Sequence, residues 1–344
     1  MRQTGLSHLL AGALIWLGAL ASAYEIEDQA QFGAQTDAAA ELRIISTADT
    51  AFFEPMILSF LELNPDLTID YVVVSSTDLM QVVVDGEDAF DIAISSAMDL
   101  QTKLANDGFA LRHVSPETRN LPDWAGWNDM LFAFTEEPAA IVVSRDAFTA
   151  QNVPQTRNDL IDLMRSDPDR FRGRIGTYDV RSSGLGYLFA TQDTRASETF
   201  WRLAEVMGAL DARLYCCSSD MIEDVKRGEL LIAYNVLGSY VANRDDRDAF
   251  EIILPADFTT TMLRTALIPA NAPSPDLSYN FIDHMLSQSY GSGAEPLVSP
   301  SLGLQSASAS LNRIEIGPGL MVFLDQLKRQ AFLREWENAI LQGE

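Results

Sequence analysis

Three polar clusters in the first third of the chain place small hydroxyls just after apolar runs: Ser46-Thr47-Ala48-Asp49-Thr50, Ser75-Ser76-Thr77 and Ser95-Ser96. Groups of this kind hold an oxygen-rich guest by hydrogen bonds. They offer no nucleophile with a base beside it. A fourth cluster, Arg174–Phe189 (RIGTYDVRSSGLGYLF), runs from an apolar strand through Ser182-Ser183-Gly184 into a helix start. That turn exposes backbone N–H groups at the positive end of a helix dipole, which suits a phosphate or carboxylate. Arg181 adds a bidentate partner. The segment lacks the lysine of a P-loop and a full G-x-G-x-x-G. It has no glycine two residues before either serine, so it is not a hydrolase elbow. Helix N-capping favours the same small residues, so capping and ligand contact are both expected of them.

The elements that position these clusters alternate. Leu42–Ser46 reads as a strand and Ala51–Leu63 as a helix ended by Asn64-Pro65. Thr68–Val74 and Asp78–Val84 repeat the pair, and Phe90–Ile94 leads into a helix ending near Gly108. Strand–turn–helix repetition predicts a parallel sheet, with ligands at the carboxyl ends of its strands. Thr47, Asp49, Thr50, Ser75, Ser76, Ser95 and Ser96 stand at those ends. Phe132–Val143 reads as extended chain broken at Glu137-Pro138. A second unit follows, with strands at Arg174–Thr177 and Leu230–Ala233. Its helices are expected at Gly184–Asp193, Ser197–Leu210, Ser218–Arg227 and Asn235–Asn243. Strands at Phe250–Pro255 and Met262–Ile268 come next, then helices at Ser278–Ser289 and within Leu320–Leu341.

A chain of 344 residues suggests about two domains. Its net charge of −25 argues against nucleic acid and anionic membrane surfaces as partners. Met1–Ala23 has one basic residue, the apolar run Leu9–Leu20 and an Ala21-Ser22-Ala23 end, which predicts a signal peptide cleaved after Ala23. Tyr24–Glu41 reads as a polar, flexible leader. The cysteines are Cys216 and Cys217, which form either a vicinal disulfide or two buried thiols. His113 and His284 are isolated, so no metal centre or cofactor is expected. No Ser-His-Asp order, HExxH or convincing carboxylate pair is present, so no enzyme is expected either.

The order of these motifs resembles the periplasmic solute-binding proteins of ABC importers, of the type II fold and the iron(III)-binding-like branch. The resemblance runs over Leu42–Leu341. Its markers are the three strand-end loops, the Ile175–Leu185 helix start, Ser218-Ser219, Gly228-Glu229 and Leu230–Tyr240 (LLIAYNVLGSY). It implies an α/β protein of two lobes, each a mainly parallel sheet flanked by helices, with the ligand cleft between them. The lobes would span 42–138 plus 258–304 and 139–257 plus 305–344. Ligand-binding positions would be Thr47, Asp49, Thr50, Ser75, Ser76, Ser95, Ser96, Tyr178, Arg181, Ser182, Ser183, Gly184, Ser218, Ser219, Tyr234 and Asn235. Tyr215 would also wall the cleft. Ferric members carry a Tyr-Tyr pair where Gly238-Ser239 stands here, and many have a histidine at the position of Thr50. The resemblance therefore favours a phosphorylated or carboxylated organic solute, with ferric ion as the alternative. It implies a periplasmic monomer that closes on its solute and docks on an ABC permease, or presents the solute to a sensor kinase.

Overall fold

A computed structural model describes residues 24–33, 40–148, 153–242, 244–291 and 311–342. The signal-peptide segment lies outside them. The described strands join into one sheet system. Its order is Ile26–Gly33, Leu67–Val74, Ala40–Ser46, Ile92–Ser95, Thr259–Leu267, Leu131–Ser144, Ile232–Leu237, Ile175–Tyr178, Arg213–Tyr215. Ala40–Ser46 pairs parallel with both its neighbours, and so does Ile175–Tyr178. These two parallel cores are the halves that the strand–turn–helix repetition predicts. Between them run the long antiparallel strands Leu131–Ser144 and Thr259–Leu267, which carry the chain from one half to the other.

Each half has its own apolar core. In the first, Phe53, Met56, Ile57, Phe60 and Leu61 recur at helical spacing along Thr50–Leu63 and pack on Leu42, Ile44, Ile69 and Tyr71. In the second, Leu160, Ile161 and Met164 meet Leu203, Met207, Phe332 and Trp336. Leu67–Val74 is almost wholly buried along its length, as expected for a strand covered on both faces.

Three expectations need correction. The leader expected over Tyr24–Glu41 contains a strand: Ile26–Gly33 is an antiparallel edge strand on Leu67–Val74, and 34–39 lie outside the described residues. Leu131–Ser144 does not break at Glu137-Pro138. It is continuous, and Pro138 sits where the strand exchanges Thr259–Leu267 for Ile232–Leu237 as its partner. The helix expected from Asn235 begins only at Ser239. Asn235 stays in the strand Ile232–Leu237 with φ of 61°, at a register shift.

Asp99, in the first turn of the helix Met98–Asn106, is 2% exposed, and its Oδ1 has no hydrogen-bond partner. Burial pushes its carboxyl up to about 7, against the backbone N–H groups of Leu100 and Asp99 and the charge of Arg329. In the unfolded chain an aspartate ionises near ~4. Between these values the folded state holds the extra proton, so stability falls as pH rises through the window and then levels off. Asp99→Asn should be neutral near pH ~4 and stabilising by on the order of 2 kcal/mol near pH ~8, since a displacement of about three pH units sets an upper bound of ~4. Urea midpoints at both pH values check this; equal shifts at the two would refute it.

Candidate functional site

The helices of both halves start around one cavity of about 60 Å³. From the first half come Thr47, after the strand Ala40–Ser46, and Asp49, at the N-cap of Thr50–Leu63. Ser75 and Ser76 open the helix Ser76–Asp85, and Ser96 follows the strand Ile92–Ser95. From the second half come Tyr178, Ser182 and Ser183, the last capping Gly184–Ala196. Ser218 and Ser219 begin Ser218–Lys226, with Cys216 and Cys217 just before. Ten of the sixteen positions expected from the sequence thus share one lining.

Many of these hydroxyls also hold the loops in place. Ser75 Oγ accepts the N–H of Asp78 at 3.1 Å, and Ser183 Oγ that of Gly186 at 3.1 Å. Thr47 Oγ1 accepts the N–H of Ser96 at 3.1 Å. Ser218 Oγ accepts the N–H of Leu237 at 3.0 Å and pairs with the Tyr178 hydroxyl at 2.5 Å. These bonds fix each hydroxyl at the cavity wall.

The other six expected positions lie elsewhere. Thr50 donates to Asp28 at 2.6 Å, and Ser95 Oγ accepts the N–H of Ala97 at 3.1 Å. Arg181 does not reach the cavity: its Nε and Nη2 bond Asp179 at 2.8 and 2.7 Å. Gly184 touches Ser76 of the other half, and a Cβ there would stand 2.6 Å from Ser76 Oγ. Tyr234 and Asn235 are buried and bond Asp193 at 2.9 and 2.8 Å. Tyr215 bonds Asp224 at 2.5 Å and is not part of the lining.

Sequence reasoning missed Glu27, Val74, Leu185, Leu237 and Tyr240. Among the described residues that line the cavity there is no lysine, arginine or histidine. Burial raises the Glu27 carboxyl, reinforced by the charges of Asp49 and Asp220. Burial also raises Asp49, opposed by the charge of Arg264. Arg264 is fully buried and pairs with Glu137 at 3.0 Å. Glu137 also takes hydrogen bonds from Ser239 at 2.6 Å and Thr135 at 2.8 Å. Ser239 thus serves this ion pair. Tyr240 stacks on Phe52 across the two halves, centroids 6.0 Å apart. The wall therefore combines helix N-termini, which favour anionic oxygens, with carboxylates that accept hydrogen bonds.

No helix among the described residues is long and apolar enough to cross a membrane. No protein-family model and no curated protein matches the chain. Solved structures do. The substrate-binding protein of an ABC transporter from Agrobacterium tumefaciens is 32% identical, with a TM-score of 0.84 over 93% of this chain and 100% of that one. The periplasmic binding protein AfuA of Actinobacillus pleuropneumoniae, solved with fructose-6-phosphate, is 16% identical, with a TM-score of 0.70 over 88% and 99%. Iron-bound HitA of Pseudomonas aeruginosa is 15% identical, with a TM-score of 0.64 over 87% and 99%. The latter two share the fold, the two-lobed type II arrangement expected from the order of motifs. With two crossing strands, a cavity between paired helix starts and a near-complete relative at this identity, the chain belongs to the substrate-binding proteins of ABC transporters.

Proposed function

We propose that the protein is an exported receptor that closes on a small organic solute bearing a phosphate or carboxylate and hands it to an ABC permease in the inner membrane. One observation carries this reading: helix N-termini from both halves converge on a single cavity. Backbone N–H groups near Ser76, Ser183 and Ser218 would hold the anionic oxygens. Glu27 and Asp49 would accept hydrogen bonds from hydroxyl or ammonium hydrogens on the rest of the solute. The lobes are taken as 42–138 plus 258–304 and 139–257 plus 305–344, with Ile26–Gly33 joined to the first by its pairing. Gly184 against Ser76 is the contact expected of a closed clamp.

Thermal-shift screening of the mature protein against phosphate esters, phosphonates, carboxylates and ferric citrate tests the reading, because a ligand of the folded state raises its melting temperature. A rise with an organic anion and none with the ferric salt is expected. Stabilisation by the ferric salt alone would overturn the proposal. Ser183→Ala should weaken the stabilising anion about tenfold, and the lost helix cap should cost about 1 kcal/mol of stability.

A further inference from the structure

We propose that Cys216, Cys217 and Asp220 form a site for a thiophilic divalent cation of the zinc type on the wall of the solute cavity. Both thiol sulfurs and one carboxylate oxygen of Asp220 lie within 4.8 Å of one another. In a tetrahedral site with Zn–S near 2.3 Å and Zn–O near 2.0 Å, ligand atoms stand roughly 3.3–3.8 Å apart. Cys216 Sγ and Asp220 Oδ2, 3.9 Å apart, already stand close to that spacing.

Local structure explains why three residues so close in sequence meet. Successive side chains on a strand point to opposite faces. Here the strand Arg213–Tyr215 has ended, and Cys217 takes the N-cap position of the next helix with φ −131° and ψ 150°. This turn aims both cysteines at the cavity, which each of them lines. Asp220, in the helix's first turn, faces back toward them, its Oδ2 3.9 Å from Cys216 Sγ.

The charge around the three groups calls for a cation. The carboxylates of Glu27 and Asp220 act on both thiols, and no basic residue is among the described lining of the cavity. A divalent ion would relieve this crowding of negative charge and displace both thiol protons on binding. Two sulfur ligands select zinc over hard ferric ion. Three protein ligands would leave a fourth coordination position for water or a solute oxygen. The site does not depend on which solute the receptor carries.

The test uses the full exported protein, reduced and freed of metal, titrated with Cd²⁺ as a spectroscopic probe and with Zn²⁺ against a chromogenic chelator. One metal ion per chain and an ultraviolet thiolate-to-cadmium band are expected, with binding weakening as pH falls. Cys216→Ser and Cys217→Ser should remove the band while far-ultraviolet circular dichroism stays native, since neither side chain is fully buried. Asp220→Asn should weaken Zn²⁺ by about tenfold or more, the scale of even an outer-shell loss. Cd²⁺ uptake without the band, or Zn²⁺ affinity unchanged in both cysteine variants, would overturn the site. So would protein isolated without reductant that is two hydrogen masses light and has no titratable thiol, because the pair would then be a disulfide.

Discussion

Replacing Asp193 with alanine should lower the stability of the folded chain by about 3–5 kcal/mol, the scale of breaking a buried ion pair by removing one partner. Asp193 is fully buried in the helix Gly184–Ala196. Its carboxylate accepts hydrogen bonds from the Tyr234 hydroxyl at 2.9 Å, Asn235 Nδ2 at 2.8 Å and Thr260 Oγ1 at 2.9 Å. It also faces Arg157 Nη2 at 3.5 Å, and Arg157 has no exposed surface either. Arg157 in turn donates to the Tyr234 hydroxyl at 2.8 Å and to the Phe258 carbonyl at 2.7 Å, and stacks on the Phe258 ring. Without the carboxylate, four donors lose their acceptor: Tyr234, Asn235, Thr260 and Arg157 Nη2. The guanidinium keeps only Asp257, which is one-quarter exposed, as a charged partner. Each buried group left unpaired costs about 1–3 kcal/mol, and these share one pocket, so the losses do not simply add. Asp257→Ala, at the solvated edge of the same network, should cost about 1 kcal/mol or less. Urea denaturation followed by circular dichroism gives both values. Equal midpoints for the Asp193 variant and the wild type would mean that this network does not support the fold.

The same network shows where sequence reading succeeds and where it stops. The alternation over Leu42–Gly108 was legible because Leu67–Val74 and the Thr50–Leu63 face bury unbroken apolar patterns. Ile26–Gly33 gave no such signal. It is an edge strand with mostly exposed residues, held by backbone pairing to Leu67–Val74, and pairing leaves no mark on composition. Glu27 was lost with it. Asn235–Asn243 reads as a helix in the sequence. In the structure the left-handed backbone of Asn235 is anchored through its side chain to Asp193, forty-two residues earlier in the chain. Arg181 looked like a free anion clamp. It is committed to Asp179 through a turn whose geometry the sequence does not specify. The strand-end hydroxyls were legible because N-capping and ligand contact ask for the same residues, so one signal marked both.

Gly184→Leu should weaken solute binding about 10–100-fold while leaving the folded halves intact. Gly184 opens its helix without a positive φ, so a side chain fits its backbone. What excludes one is the other half of the molecule. A Cβ at this position would lie 2.6 Å from Ser76 Oγ, 3.0 Å from Ser76 Cβ and 3.2 Å from Leu100 Cδ1. Ser76 and Leu100 sit on the first-half helices Ser76–Asp85 and Met98–Asn106. Each half tolerates a larger residue when the two stand apart, and only the approach does not. Overpacking of this kind costs about 1–3 kcal/mol, and here the cost falls on the closed state alone. A receptor whose binding-competent state is penalised loses affinity by the same factor, since about 1.4 kcal/mol corresponds to tenfold. Calorimetric titration with the anion that stabilises the wild type in the thermal-shift screen gives the loss. Small-angle scattering separates its cause: saturating ligand should compact the wild type, and the variant should stay extended at the same concentration. A Gly184→Leu protein that binds and compacts like the wild type would show that this contact does not govern closure.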